Sequence, residues 1–238
     1  MPSINVTRFW LFITFSVVAI LLASSPAYCE SNSSTRYLQG YIGAAKFDED
    51  SLTFLEASDT EPETVSTSDL SSMPFIGVAG QFAFSPGQTH FGIDTSLLFG
   101  WRSDDTTVTA GNGRARVKID SSLWLVDLAV GLYGQTVLAD RWRIYGAAGP
   151  VLLFGEYSDD TKNEDLTVAP LEETEESNSD SAFGAGGYAK LGIEYAISND
   201  SYVGIAVRGV ASNLDFDRAL DDDGLTGGQA FVTFTRAY

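Results

Sequence analysis

From about Tyr37 onward the chain alternates. Apolar residues recur at every second position in eight separate runs. In the third run Phe91, Ile93, Leu97, Phe99 and Trp101 share one face, with His90, Gly92, Asp94, Ser96 and Gly100 on the other. The fourth sets Trp124, Val126, Leu128, Val130 and Leu132 against Asp127, Ala129, Gly131, Tyr133 and Gln135. The sixth sets Phe183, Leu191, Ile193, Tyr195 and Ile197 against Gly184, Gly186, Tyr188, Lys190 and Glu194. A period of two marks β-strands whose faces meet different surroundings. The second run agrees, with Ile76, Val78, Phe82 and Phe84 on one side and Gln81 on the other. So does the eighth, with Val232 and Phe234 opposite Gln229, Thr233 and Thr235. The first, fifth and seventh are less regular. The faces of the fifth, Trp142–Tyr157, stay unassigned, and Pro150 inside it predicts a bulge or kink because a ladder donor is missing.

The gaps between runs alternate too. Long gaps run from Glu49 to Met73, Arg102 to Asp120, Ser158 to Ser181 and Asp215 to Thr226. Short ones fall at Ser85–Gln88, Ala139–Arg141 and Ser198–Asp200. A soluble sandwich has no reason to gather its long loops at one end. A transmembrane barrel does, with short turns in the periplasm and long loops outside. The pattern predicts an all-β fold: a single eight-stranded antiparallel up-and-down transmembrane β-barrel. Its bulky face looks at lipid and its small, polar face lines the interior.

The first 29 residues stand apart. Arg8 is their only charged residue, Phe9–Ala23 is apolar but for Thr14 and Ser16, and Ser24–Cys29 is mostly small. This predicts a secretory signal peptide over 1–29, cut after Ala27 or Cys29, and a barrel domain over 30–238. The apolar stretch is shorter than the roughly 20 residues a spanning helix needs. Cys29 is the only cysteine, so no intrachain disulfide forms. Without the signal the formal charge moves from −18 to −19, since Arg8 is lost. Such a chain is not expected to bind nucleic acid, whose phosphates need Lys and Arg. Aromatic residues near run ends (Tyr37, Trp101, Trp124, Trp142, Tyr145, Tyr157, Tyr195, Tyr202 and Tyr238) predict two girdles at headgroup level.

Parity places six ionisable residues inside: Lys46, Asp94, Asp127, Lys190, Glu194 and Arg208. Three are basic and three acidic, a neutral set in a strongly acidic chain. Buried charges are costly unless paired. The expectation is a network of ion pairs across the lumen of a barrel just wide enough for side chains to fill.

Candidate chemistry is sparse. The single histidine, His90, follows a short turn and so lies at the periplasmic end. Asp94 and Asp127 are a carboxylate pair by parity alone. Gly111-Asn112-Gly113 lacks the strand–helix context of a phosphate loop. No catalytic, cofactor or metal site is expected. The long gaps are acidic, at Asp48–Asp50, Asp59, Glu61, Glu63, Glu172–Glu176, Asp215, Asp217 and Asp221–Asp223. Weak uptake of divalent cations there is conceivable, although no calcium-loop spacing is met. Arg114, Arg116 and Lys118 form a basic strip whose alternation suggests a hairpin carried beyond the membrane.

Over Arg36–Tyr238 the chain resembles the OmpA-type eight-stranded outer-membrane barrels. The resemblance rests on Tyr37-Leu38-Gln39-Gly40-Tyr41-Ile42-Gly43, the alternating runs and the closing Ala230–Tyr238. It implies a location in the outer membrane of a Gram-negative bacterium. It also implies contact with outer-membrane lipid and lipopolysaccharide, and a C-terminal signal read by the barrel-assembly machinery. Val232, Phe234 and Tyr238 match that signal, and Arg236 departs from the apolar residue usual at its place. OmpA continues into a peptidoglycan-binding domain, and wall anchoring is not among the expectations carried over to this sequence. The expected role is that of a monomeric, non-enzymatic envelope or surface protein with a largely closed lumen. A narrow pore and a lipid A-modifying enzyme are the alternatives, the second disfavoured by the position of His90.

Overall fold

Alternation dictates the architecture. A computed structural model describes residues 36–48, 53–56, 66–84, 89–110, 115–139, 141–165, 173–216 and 224–238. Ten strands form: β1 (Arg36–Phe47), β2 (Thr53–Glu56), β3 (Ser66–Asp69), β4 (Ser72–Ala83), β5 (Thr89–Ala110), β6 (Ala115–Leu138), β7 (Trp142–Asp165), β8 (Glu173–Ala196), β9 (Ser201–Ser212) and β10 (Leu225–Ala237). Eight of them close a barrel in the order β1-β10-β9-β8-β7-β6-β5-β4, while β2 and β3 pair only with each other. Every barrel pair is antiparallel, and apart from the closing pair β1 and β10 each joins strands that are consecutive among the eight. At that seam Gly40 lies opposite Phe234, and on its other side opposite Val78. The expected barrel, all-β and up-and-down, is the fold observed.

The outward face is apolar. Leu132 is 77% exposed and Ile42 71%, values that in a water-soluble core protein would be reversed. Inward residues alternate with these along every strand. In β7 the odd residues Arg143, Tyr145, Ala147, Val151 and Leu153 are the buried ones, which assigns the faces the sequence left open. Pro150 points outward and introduces no bulge. The β6–β7 pairing keeps the same offset on both sides of it, Ala129 opposite Val151 and Leu132 opposite Ala148. Only the two rungs at Val130 and Gly131 are missing. Glycine is required here: a Cβ on Gly131 would meet the carbonyl of Ala148 and the hydroxyl of Tyr188.

Short turns join one end. Arg141 N donates to Leu138 O at 3.3 Å, and Ala139 takes φ of 49° to close that turn. At the same end Tyr238 N donates to Arg36 O at 2.9 Å. At the other end the strands differ in length. β1, β4, β9 and β10 have 12 or 13 residues, against 22 to 24 for β5 to β8. A membrane crossing uses about 9–11 tilted residues, so the longer strands run well past the rim. β4 leaves β5 after Gly100, and β9 joins β8 only from Gly186. Between those points β5 to β8 form a four-stranded sheet standing beyond the barrel. The gaps Arg102–Asp120 and Ser158–Ser181, expected as loops, are therefore largely strand. Unbroken pairing from Arg102 with Leu123 to Ala110 with Ala115 carries the first hairpin, as the basic strip suggested. Threonine and valine in Thr106–Thr109 favour it. Gly111–Gly113, the expected signal peptide and most of the acidic gap residues lie outside the described residues.

Candidate functional site: the barrel interior

Inward parity brings three cations and three carboxylates together. Lys190, on β8, reaches Asp94 on β5, with Nζ 2.9 Å from Oδ1 and 3.0 Å from Oδ2. Arg208, on β9, grips Asp127 on β6 through both terminal nitrogens, at 2.5 and 2.9 Å. Both pairs cross the lumen between strands that are not neighbours. Arg143 and Glu194 face each other across the β7–β8 ladder, with Nη1 2.7 Å from Oε2. All six side chains are buried.

Neutral donors complete the set. Glu194 Oε1 accepts from Gln39 Nε2 at 2.6 Å and from the hydroxyls of Thr233 and Thr235 at 2.7 Å each. Asp94 accepts further bonds from Gln81 Nε2 and the Tyr188 hydroxyl, each at 3.0 Å. Arg143 donates its remaining N–H groups to the carbonyl oxygens of Gln135 and Gln81. Its guanidinium lies 4.1 Å from the centre of the Tyr37 ring. Lys190 also donates to the Tyr41 hydroxyl at 2.7 Å, and Arg208 Nη1 to Gln229 Oε1 at 2.8 Å. Contacts of this kind offset the cost of burying a charge, although Arg208 Nε is buried with no hydrogen-bond partner among the described residues.

Five of the six residues chosen from sequence take part in these contacts. Lys46 does not. It stands on the outward parity of β1, exposed, with Nζ 2.8 Å from Ser71 Oγ at the long-loop end. Its assignment to the lumen is corrected because burial in β1 follows the odd positions Tyr37, Gln39, Tyr41, Ala45 and Phe47. Arg143 takes its place in the neutral set, and it went unseen because the faces of its strand were unassigned. Small residues on both faces of Trp142–Tyr157 blur the period that would have marked Arg143 as inward.

A second correction concerns the interior itself. Above the charged layers, toward the long-loop end, it is apolar, not small and polar. Phe75, Leu98, Leu123, Leu125, Leu153 and Leu225 are buried there. Two residues of the segment after β9, Leu214 and Phe216, are buried with them. That segment is tied to β8: Asn213 N donates to Ala185 O at 3.1 Å, and Ala185 N to Asn213 Oδ1 at 2.7 Å. Gly184 must be glycine, since a Cβ would fall 2.6 Å from that of Leu214.

The aromatic girdle is also smaller than expected. Tyr37, Tyr145 and Tyr157 are buried inside, and Tyr202 shares their inward parity. Trp101 and Tyr238 do face outward, as does Trp142, whose ring packs 5.0 Å from Tyr195. His90 sits at the start of β5 opposite Gln135, at the short-turn end. Val232, Phe234 and Tyr238 are all exposed on the outer wall. Among the described residues no group of three or more His, Cys, Asp or Glu side chains is placed to hold a metal ion.

Three solved structures are similar to this chain at low identity. Ail, the attachment invasion locus protein of Yersinia pestis, is 9% identical with a TM-score of 0.44, over 87% of this chain and 100% of its own. Neisserial surface protein A is 9% identical with a TM-score of 0.40, over 85% and 97%. The outer membrane protease OmpT of Escherichia coli is 7% identical with a TM-score of 0.39, over 90% and 100%. No curated protein matches the sequence. The family model for the outer membrane protein beta-barrel domain matches residues 15–234. With that match over most of its length, and with a closed eight-stranded barrel that is apolar outside and charged within, the chain belongs to the outer membrane protein β-barrel family.

Proposed function

We propose that this protein is a non-conducting, non-enzymatic barrel of the outer membrane that serves envelope structure or surface interaction. The observation that carries the reading is the interior: three buried ion pairs lie beneath an apolar layer that includes Leu214 and Phe216. Water and ions crossing such a lumen would have to displace paired charges without replacing their partners, at several kcal/mol each by the usual cost of an uncompensated buried ion. Asp94, Asp127 and Glu194 are each held by a cation, which leaves them poorly placed for acid–base work. The parts free to meet other molecules are the extracellular hairpins, where Glu173, Glu175 and Glu176 lie on β8 beyond the rim. Residues 1–29 serve as the export signal in this reading, and the barrel acts as a monomer.

The test is electrical. The protein is reconstituted into a planar bilayer, with folding checked by the shift in gel mobility on heating. A silent bilayer is expected. Discrete current steps that change on Lys190→Gln or Glu194→Gln substitution would instead make the lumen a path and the protein a narrow pore.

A further inference from the structure

The sheet that β5 to β8 carry past the rim is layered by row on its outer face. Cross-strand pairing sets four serines side by side, Ser103, Ser122, Ser158 and Ser179, one from each strand. Strand positions favour β-branched and aromatic residues, so the fold does not ask for serine at all four. One row nearer the barrel, Trp101 stands directly opposite Trp124, and Trp124 opposite Glu156. Trp101 comes 12 residues after Thr89, the first residue of β5. A crossing uses about 9–11 tilted residues, which puts the tryptophans at the outer boundary of the membrane and the serines in water.

The two rows make a flat apolar step beneath a low polar shelf. Trp101 is 53% exposed, and the Trp124 ring is steadied by Phe154, with centroids 5.2 Å apart. Ser122 Oγ lies 3.0 Å from Ser158 Oγ. A hydroxyl has one proton and two lone pairs, so that bond leaves capacity on both oxygens. Half-buried Glu156 adds an acceptor beside Trp124. Neither row holds a lysine or arginine, and the next row outward sets Asp120 opposite Asp160. Neighbouring strands lie about 4.8 Å apart, so the shelf is roughly 14 Å wide, long enough for a short oligosaccharide.

We propose that this face binds an uncharged oligosaccharide presented by the surface of another cell. A pyranose ring has an apolar C–H face and a rim of hydroxyls. The tryptophans accept the first as flat, rigid, amphipathic platforms. The serines and Glu156 pair with the second. Glu156 and the aspartate row disfavour glycans that carry sulfate or phosphate, by like-charge repulsion. That excludes the phosphorylated sugars of the protein's own membrane as the preferred occupant. The inference deepens the surface-interaction reading and rests on it.

The experiment uses the full protein in phosphatidylcholine nanodiscs, free of lipopolysaccharide, and reads binding by saturation-transfer NMR. The uncharged probes are chitotetraose and lacto-N-neotetraose. A heparin-derived tetrasaccharide and the phosphorylated core oligosaccharide of lipopolysaccharide are the charged ones. Saturable binding of an uncharged probe is expected, tighter than that of either charged one. Trp101→Ala should weaken it roughly tenfold, the loss of one stacked ring, and Trp101→Phe should restore most of it. Joint Ser122→Val and Ser158→Val substitution should also weaken it roughly tenfold, although valine suits the strands better. No saturable binding of either uncharged probe overturns the proposal. So does binding that both the tryptophan and the serine variants leave unchanged. Equal or tighter binding of the heparin fragment overturns it as well, and tighter binding of the core oligosaccharide would assign the face to the protein's own membrane. Should Trp101→Ala not fold, the serine variant decides alone. Failure of the closed-lumen reading would appear as current in the bilayer and not in this assay.

Discussion

Arg143, which the sequence did not single out, ties together side chains from several strands of the interior. Its guanidinium meets Glu194 at 2.7 Å, bonds two glutamine carbonyls and lies under the Tyr37 ring. Arg143→Met should strand Glu194 as an uncompensated buried carboxylate, at about 3–5 kcal/mol of unfolding free energy. The check is the urea midpoint for loss of the heat-modifiable form. Adding Glu194→Leu should recover part of that loss, but not all, because Gln39, Thr233 and Thr235 would then lack their acceptor. A contrast of the same kind separates Arg208 from Lys46. Arg208→Ala should cost on the same scale as Arg143→Met, whereas Lys46→Ala, exposed, should stay within about 0.5 kcal/mol. Equal effects from both would contradict the placement of Lys46 outside the lumen. At the turn, Ala139 holds φ of 49°. Ala139→Gly should raise stability by up to roughly 1 kcal/mol, the scale of the left-handed penalty less the entropy glycine adds to the unfolded chain.

Among the elements, the segment Asn213–Phe216 decides what caps the charged layers. It follows β9 and is bound to β8 by two hydrogen bonds through Asn213, which carries Leu214 and Phe216 into the apolar layer. A cysteine at Leu214, in a Cys29→Ser background, should react slowly with a polar maleimide added from outside. Asn213→Ala should speed that labelling severalfold by removing one of the two ties. Fast labelling before the change would mean that the segment leaves the interior readily. The four-stranded sheet of β5 to β8 is a different kind of element. It continues the barrel's own pairing past the rim, so it needs no core of its own.

Over the whole molecule, the surface is inverted relative to a soluble protein, with apolar residues outside and paired charges within. The last strand closes the barrel, and the resemblance to outer-membrane barrels implies that it also carries the assembly signal. Phe234 is 52% exposed and sits opposite Gly40 of β1 at the seam. Phe234→Asp should lower the fraction of heat-modifiable protein recovered from outer membranes, with a smaller effect on refolding in detergent. If both fell equally, Phe234 would act in the fold and not in assembly.

The sequence by itself determined the eight barrel strands within the wall (not their extension past the rim or the β2–β3 pair), their antiparallel up-and-down order, the ends at which turns and long connections lie, and the inward partners Asp94, Asp127, Lys190, Glu194 and Arg208. These follow from a period of two and from gap lengths, which are local properties and survive in one dimension. Tertiary structure alone decided who pairs with whom. Lys190 and Arg208 are register neighbours, yet each reaches across the lumen to a different strand, and chain order contains nothing of that distance. It also decided the side of irregular strands. Small residues such as Gly149 and Ala148 beside Pro150 erase the alternation that would have disclosed Arg143. The apolar upper interior was hidden for a related reason: Leu123 and Leu125 read as one hydrophobic run with Trp124 and Val126. Alternation puts Trp124 and Val126 on the lipid side, but only the closed barrel, with the Asn213–Phe216 segment inside it, gives Leu123 and Leu125 an apolar interior to pack in.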